Sequence, residues 1–297
     1  MSRMGDVLAG FHAAWEFESD SVLIRYERGI RTPRLFQALG ERRVPLAALA
    51  GVELSRGRRG TVVLRARPRA GADPLMDAAD GQLPEGSDPY RLVLPADRET
   101  LAEYYADELR ALLPGDPGPT TSCLVAPPEP PRQFKAYDAK ASFDGSTVTF
   151  RWSWTGASSA KWKTGDQYVP VADLAGVEWR SPEALEGHLR LLRRGTSDHG
   201  AHVPVDQDPS AVVFGLGYGP VHESLPFAAA VLAAARAAGG AAAKSTTERM
   251  TPVAVGVTRR DPADIADRIR HLGELHQAGL VTDEEFTAKK ADLLAEL

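Results

Sequence analysis

The chain has 297 residues, of which 25% are charged and 43% apolar, a composition typical of a folded protein rather than a disordered one. Its formal net charge of −5 argues against a generally basic nucleic-acid-binding protein. The single cysteine excludes an internal disulfide framework and a cage of cysteine ligands for zinc or an iron–sulfur cluster, and we predict no metal or cofactor site.

The first predicted domain covers residues 6–113 and has its strands first and its helix last. Residues 14–17 and 22–26 alternate polar and apolar side chains, which predicts a hairpin. Residues 100–113 have the apolar spacing of a helix, which Pro114 ends. The other expected strands are residues 43–45, 51–54, 61–67 and 90–94. Several antiparallel strands and one closing helix predict an α+β domain, a strongly bent sheet covered by the helix.

A basic loop separates two of these strands. It contains Arg56, Arg58 and Arg59, interleaved with glycines. Arginine offers forked donors and glycine lets the backbone approach a ligand, so the loop is a candidate site for a phosphate or another anion. The alternative is an ordinary solvated turn.

An acidic loop follows in the same domain. Its carboxylates are those of Asp73, Asp77, Asp80, Glu85 and Asp88. Their spacing differs from that of a twelve-residue calcium-binding loop. We therefore predict a solvated acidic loop rather than a metal site.

The pattern of the first domain then returns. Residues 114–132 are rich in proline and predict a semi-rigid spacer. Residues 169–179 match residues 44–54 at most positions, and the flanking segments agree in the same order. We therefore predict a second copy over residues 133–238. Its expected elements are strands at 141–143, 148–152, 168–170, 176–179, 189–192 and 212–214, and a helix at 226–237.

Two features of the second copy are candidate sites. One is a group of tryptophans, which forms either a core contact or a platform for apolar ligands. Its members are Trp152, Trp154, Trp162 and Trp179. The other is Ser158 followed by Lys161, the serine–lysine spacing of penicillin-binding enzymes. The companion motifs of those enzymes are lacking, so we assign no catalytic role to this pair.

The last segment predicts a helical hairpin over residues 262–297, after a flexible linker over residues 239–261. Gly279 ends the first helix, and Thr282 and Glu285 form a capping box for the second. Apolar residues form a stripe on each helix and are the predicted contacts with a partner. They are Ile265, Ile269, Leu272, Leu275, Leu280, Phe286, Leu293 and Leu294.

So small a hairpin needs a partner for its apolar stripes. Segments of this size rarely stabilise themselves, and leaving several leucines in water is costly because burying each is worth about 1.5–3 kcal/mol. Self-association as a helical bundle and docking on another protein are two solutions. Folding back on the chain's own repeats is the third.

Two resemblances extend this interpretation. The tail, with Leu272, Leu275, Thr282 and Phe286 among its matching residues, resembles the short C-terminal domain called SHOCT. That resemblance implies oligomerisation or partner binding rather than catalysis. The two copies resemble an actinobacterial family of unknown function with PH-like repeats. The residues that carry this second resemblance are 44–53, Gly81, Gln82, Leu83 and 88–92.

We expect a non-enzymatic, cytoplasmic adaptor or scaffold. The first 17 residues lack the apolar core of a signal peptide, and residues 227–238 are too few for a bilayer, which requires about 20 apolar residues. The expected partner is a protein, either a second copy or another chain, held by the tail. The alternative is a peripheral membrane protein or anionic-ligand-binding protein that uses the basic loop; no nucleic acid is expected.

Overall fold

The computed structural model describes residues 6–113, 115, 117–195 and 203–245. Both repeats belong to one compact unit, residues 1–246. The helical hairpin predicted for residues 262–297, with all eight of its predicted partner-binding residues, lies outside the described residues. No helix in the described part of the chain is both long enough and apolar enough to cross a bilayer.

The first repeat has two antiparallel sheets and a closing helix. Its elements are β1 (Asp6–Ala9), β2 (Ala13–Phe17), β3 (Ser21–Tyr26), α1 (Arg34–Leu39), β4 (Glu41–Pro45), β5 (Leu49–Arg56), β6 (Thr61–Pro68), α2 (Pro74–Ala79), β7 (Arg91–Pro95) and α3 (Glu99–Leu112). The strand orders are β1-β2-β3-β4 and β5-β6-β7. The β-hairpin predicted for residues 14–17 and 22–26 is confirmed, because β2 and β3 pair with each other and Phe17 lies opposite Val22.

The second repeat has the same plan. Its elements are β8 (Arg132–Lys135), β9 (Ala139–Phe143), β10 (Thr147–Trp152), α4 (Ser159–Thr164), β11 (Gln167–Pro170), β12 (Leu174–Arg180), β13 (His188–Arg193), β14 (Ala211–Val213) and α5 (Val221–Ser245). The strand orders are β11-β10-β9-β8 and β12-β13-β14. The helix α5 begins before the predicted residue 226 and continues past the predicted residue 237, through an alanine-rich sequence that favours helix.

The motif shared by residues 44–54 and 169–179 forms the same corner in both repeats. In each, a proline ends one strand, a single 3-10 turn follows, and the next strand begins with a bulge. The bulge lies between Leu49 and Gly51 in the first repeat and between Leu174 and Gly176 in the second. Because the matching sequence segments form the same local structure at the same place in each repeat, the predicted α+β fold and tandem repeat are confirmed.

The two repeats are joined through α2. This helix lies in the connection between β6 and β7 of the first repeat, yet it packs on α5 and β12 of the second. Its residues Leu75, Ala78 and Ala79 are at most 4% exposed and belong to the hydrophobic core of the second repeat. Alanines on both helices allow their backbones to approach closely. One repeat thus completes the core of the other.

The proline-rich spacer also packs on the first repeat. Backbone N–H groups of Thr120 and Val125 donate to the carbonyls of Ala70 and Ala72, at 2.9 and 3.0 Å. Val125 is 1% exposed and lies in the core of the first repeat. The spacer is therefore an integral part of the folded unit.

Candidate functional site

The predicted anion-binding loop is the tight turn between β5 and β6. The Gly57 N–H donates to the Thr61 carbonyl at 2.8 Å, and the Thr61 hydroxyl donates to the Arg58 carbonyl at 2.7 Å. Arg59 has φ +55°, which the turn requires. The Arg56 side chain is 89% exposed, with its Nε 3.8 Å from Glu99. Arg58 and Arg59 are also exposed, so the turn presents three guanidinium groups to solvent.

The acidic loop differs from its prediction, because its first carboxylate is buried. Arg42 donates to both oxygens of Asp73, at 2.9 and 2.7 Å, and the Tyr90 hydroxyl donates to the same carboxylate at 2.8 Å. Asp73 also caps α2 by accepting the Leu75 N–H. Burial, and then the charge of Asp73, raise the pKa of Tyr90. The prediction of a solvated loop is therefore wrong at Asp73. It is also wrong at Asp88, which is 4% exposed and lies 3.0 Å from the Arg65 guanidinium.

Ser158 and Lys161 have separate structural roles. The Ser158 hydroxyl caps α4 by accepting the Lys161 N–H. The Lys161 ammonium is fully buried; it lies 2.6 Å from Asp138 Oδ2 and donates to the Ala211 carbonyl at 2.8 Å. Burial lowers the pKa of Lys161 and raises that of Asp138. The amine is thus held by a buried carboxylate and a carbonyl.

The first repeat has an aromatic pair at the same place. Phe36 is the third residue of α1, as Lys161 is of α4, and Tyr26 ends β3, as Trp152 ends β10. The rings of Phe36 and Tyr26 stack at 4.8 Å, whereas the Lys161 ammonium lies 5.2 Å from the centre of the Trp152 ring. Where the first repeat has an aromatic stack, the second repeat therefore has a cation–π contact between Lys161 and Trp152 and an ion pair between Lys161 and Asp138.

Two of the four tryptophans belong to the core. Trp179 is 2% exposed and donates to the Ser224 hydroxyl at 3.1 Å. Trp152 is 8% exposed and donates to a backbone carbonyl. Trp154 and Trp162 are half-buried, and their rings meet edge-on at 5.3 Å. The core interpretation is confirmed for the first two.

Sequence reasoning missed the polar contacts that join the repeats. The Gln82 side chain donates to the Trp179 carbonyl and accepts the Ser181 N–H, both at 2.9 Å. Asp77 of α2 pairs with Arg236 of α5 at 2.6 Å. The one sequence signal for these contacts was that Gln82 is among the residues that carry the family resemblance. Its partners could not be predicted, because they lie about a hundred residues away in the chain. The Gln82 contacts hold the edge of β12 against the first repeat, and the Asp77–Arg236 pair does the same for α5.

A cleft of about 580 Å³ opens at the seam between the repeats. Its lining includes Arg34, Tyr218 and His222, and Leu185 and Leu216 are largely exposed at it. Burial lowers the pKa of His222. Within the described residues, no group of three or more histidine, cysteine or acidic side chains is placed to hold a metal ion.

Comparison with known families agrees with the two resemblances. The family model described as Domain of unknown function (DUF4429) matches residues 15–110 and 141–232. The model of the Short C-terminal domain, SHOCT, matches residues 267–294. No curated protein matches the chain. The PH-like nature of the repeats stays a prediction. Because the two repeat segments together cover more than half of the chain, the protein belongs to the DUF4429 family and ends in a short C-terminal domain.

Proposed function

We propose that the protein is a non-enzymatic adaptor, in which a rigid pair of repeats presents binding surfaces and the short C-terminal domain binds a second copy or a partner protein. The observation that carries this proposal is the joining of the repeats through α2 and Gln82 into one unit. Two surfaces held in fixed geometry suit simultaneous contact with a partner. Self-association of the tail would raise the avidity of weak sites through effective concentration.

The use of the buried polar groups supports a binding role. Arg42 is bound to Asp73 and Lys161 to Asp138, and all four side chains are buried. These four buried groups are thus engaged with each other within their own repeats rather than free for acid–base or nucleophilic chemistry. This placement favours binding over catalysis.

Light scattering of the intact chain and of a version that ends at Thr258 tests the role of the tail. We expect the intact chain to be oligomeric at tens of micromolar and the shortened chain to be monomeric. Leu272→Asp should act like the truncation, because it places an unpaired carboxylate in an apolar seam. Monomers in both samples would contradict self-association and leave two roles for the tail, folding back on the chain's own repeats or docking on another protein.

A second candidate function, binding of an anionic ligand or membrane surface, is favoured by the exposed turn with Arg56, Arg58 and Arg59. Changing the three arginines to alanine should reduce co-sedimentation with anionic liposomes. The difference should shrink as salt rises, since exposed charges are screened over about 8–10 Å. Absence of wild-type co-sedimentation at low salt would contradict this function.

A further inference from the structure

A turn of the first repeat has an isoleucine at its tip. Residues 27–33 connect β3 to α1, and the Thr32 N–H donates to the Gly29 carbonyl at 3.1 Å, which closes a β-turn. Ile30 and Arg31 are the two central residues of this turn. The Ile30 side chain is fully exposed, so it projects from the surface and no described residue covers it.

Hydrogen bonds hold this turn in place. The Gln37 side chain, on α1, donates to the carbonyls of Gly29 and Thr32, both at 2.9 Å. The Glu27 N–H donates to the His12 carbonyl at 2.9 Å, and the Thr32 hydroxyl lies 3.3 Å from His12 Nδ1. The turn is thus fixed to α1 on one side and to the connection between β1 and β2 on the other.

Three exposed arginines surround the tip. They are Arg28, Arg31 and Arg34. None of them forms an ion pair with a described residue. Each is at most four residues from Ile30, so its Cα lies within about 14 Å of the Ile30 Cα. Three arginines against one glutamate give residues 27–34 a net charge of +2, in a chain whose net charge is −5. The tip is therefore a local positive patch around an apolar side chain.

The carboxylates of the second repeat leave this charge unpaired. Arg34 also lines the cleft at the seam, together with Glu183 and Glu186. Neither of these glutamates forms an ion pair with Arg34 among the described residues. The Arg34 guanidinium therefore remains available to an external anion.

The second repeat lacks this feature. The N–H groups of Glu27 and Ser153 donate to the carbonyls of His12 and Asp138, at 2.9 and 2.7 Å, which shows that the two loops are equivalent. The equivalent loop, residues 153–158, contains neither a charged nor a large aliphatic residue. The fold that the repeats share thus does not require the arginines or the exposed isoleucine.

We propose that this surface, called here the arginine tip and consisting of Arg28, Ile30, Arg31 and Arg34, docks on an anionic lipid bilayer. Ile30 enters the interfacial region of the bilayer, and the guanidinium groups pair with lipid phosphates and carboxylates. A bilayer is the occupant because a projecting turn has no cavity for a small anion, whereas acyl chains can surround a single apolar side chain. Charge complementarity selects anionic lipids.

The inference goes beyond the adaptor role, which assigns no membrane surface. It adds a surface to the membrane contact considered as the second candidate function, and it shares no residue with the turn at Arg56, Arg58 and Arg59. The two surfaces are therefore tested separately.

A label at the tip gives the direct readout. Ile30→Cys, made in the full chain with Cys123→Ser so that one thiol remains, is labelled with an environment-sensitive nitrobenzoxadiazole dye. Its emission should rise and shift to shorter wavelength with vesicles of phosphatidylcholine and phosphatidylserine. It should stay unchanged with phosphatidylcholine alone. Leu112→Cys, at an exposed position of α3, is the labelled control and should respond to neither vesicle.

Co-sedimentation with the mixed vesicles measures the affinity of the unlabelled full chain. Ile30→Ser should weaken binding about tenfold, because an apolar side chain no longer enters the interface. Arg31→Gln should weaken it about fivefold at low salt and less at high salt. Lys140→Gln, at an exposed position of β9, is the matched charge control and should leave binding unchanged. Thermal melting checks that the variants fold, which is expected because the changed side chains are exposed.

The outcomes separate this proposal from the second candidate function. Loss of binding in the tip variants, with or without loss when Arg56, Arg58 and Arg59 are changed to alanine, supports the arginine tip. Loss in that triple variant alone supports the basic turn and overturns the proposal. Absence of wild-type binding at low salt, or a silent dye at Ile30→Cys, would also overturn it. If Ile30→Ser binds both the vesicles and a single-stranded oligonucleotide as well as wild type does, the arginines form a general anion site and the proposal is wrong.

Discussion

Lys161→Met is expected to destabilise the protein through the carboxylate that it leaves behind. Asp138 is 2% exposed, and in the variant it keeps the Val213 N–H at 2.8 Å but loses the ammonium at 2.6 Å. Methionine has a similar length and fills much of the same space. The loss therefore comes from the unpaired charge, and breaking such a buried pair costs about 3–5 kcal/mol.

The pH dependence of the variant has a definite sign. Burial raises the pKa of Asp138 above the ordinary value of an aspartate even with Lys161 present, and loss of the cation should raise it further. A carboxyl with a raised pKa binds more protons in the folded state, so stability falls as pH rises from the unfolded to the folded pKa. Stability lost by Lys161→Met at pH 7 should return in part as the pH is lowered toward 5.

Urea denaturation followed by tryptophan fluorescence measures this effect, and Trp152 beside the ammonium reports on the site directly. Lys163→Met, at an exposed position of the same helix, is the matched control and should change little. The double variant with Asp138→Asn removes both charges and should recover much of the lost stability. A Lys161→Met protein as stable as wild type at pH 7, or equally unstable at every pH, would refute the reasoning.

Three further substitutions test the contacts between the two repeats, between the proline-rich spacer and the first repeat, and between the tail and its partner. Gln82→Ala should lower the free energy of unfolding, measured by thermal melting, by about 1–3 kcal/mol, because it leaves the Trp179 carbonyl and the Ser181 N–H unpaired. Gln133→Ala, at an exposed position, is its control and should leave stability unchanged. Gly71→Ala should be more damaging, since φ is +86° there and a Cβ would collide with the Thr120 carbonyl; unchanged melting would contradict this. Phe286→Ala should shift the intact chain toward monomer in light scattering, because the largest apolar group of the predicted hairpin is lost.

The sequence predicted the repeat and most strands because those signals are local. Alternating side chains in β2 and β3 and the corner motif lie within short windows. The helices α1, α2 and α4 were missed because each has six residues, too few for apolar spacing to repeat. The strands β1 and β8, of four residues each, were also missed.

The candidate sites depended on contacts that a linear reading does not show. Asp73 looked solvated because its partner, Arg42, lies 31 residues earlier on another strand. Lys161 looked like half of a catalytic pattern because Asp138 lies 23 residues away. In contrast, the basic turn at Arg56, Arg58 and Arg59 was located correctly because adjacent residues define it. Its ligand, like the partner of the tail, stays a prediction.

The position of α2 makes the duplication in this chain difficult to reverse. A gene encoding the first copy alone would yield a protein with Leu75, Ala78 and Ala79 facing water, and one encoding the second copy alone would leave α5 without its cover. Selection for solubility alone therefore retains both copies, whether or not each binds something. Because both copies are retained, their sequences can diverge at other positions, as at Phe36 in α1 and the equivalent Lys161 in α4. A new ligand-binding surface can then arise on one copy while the other copy keeps the fold stable.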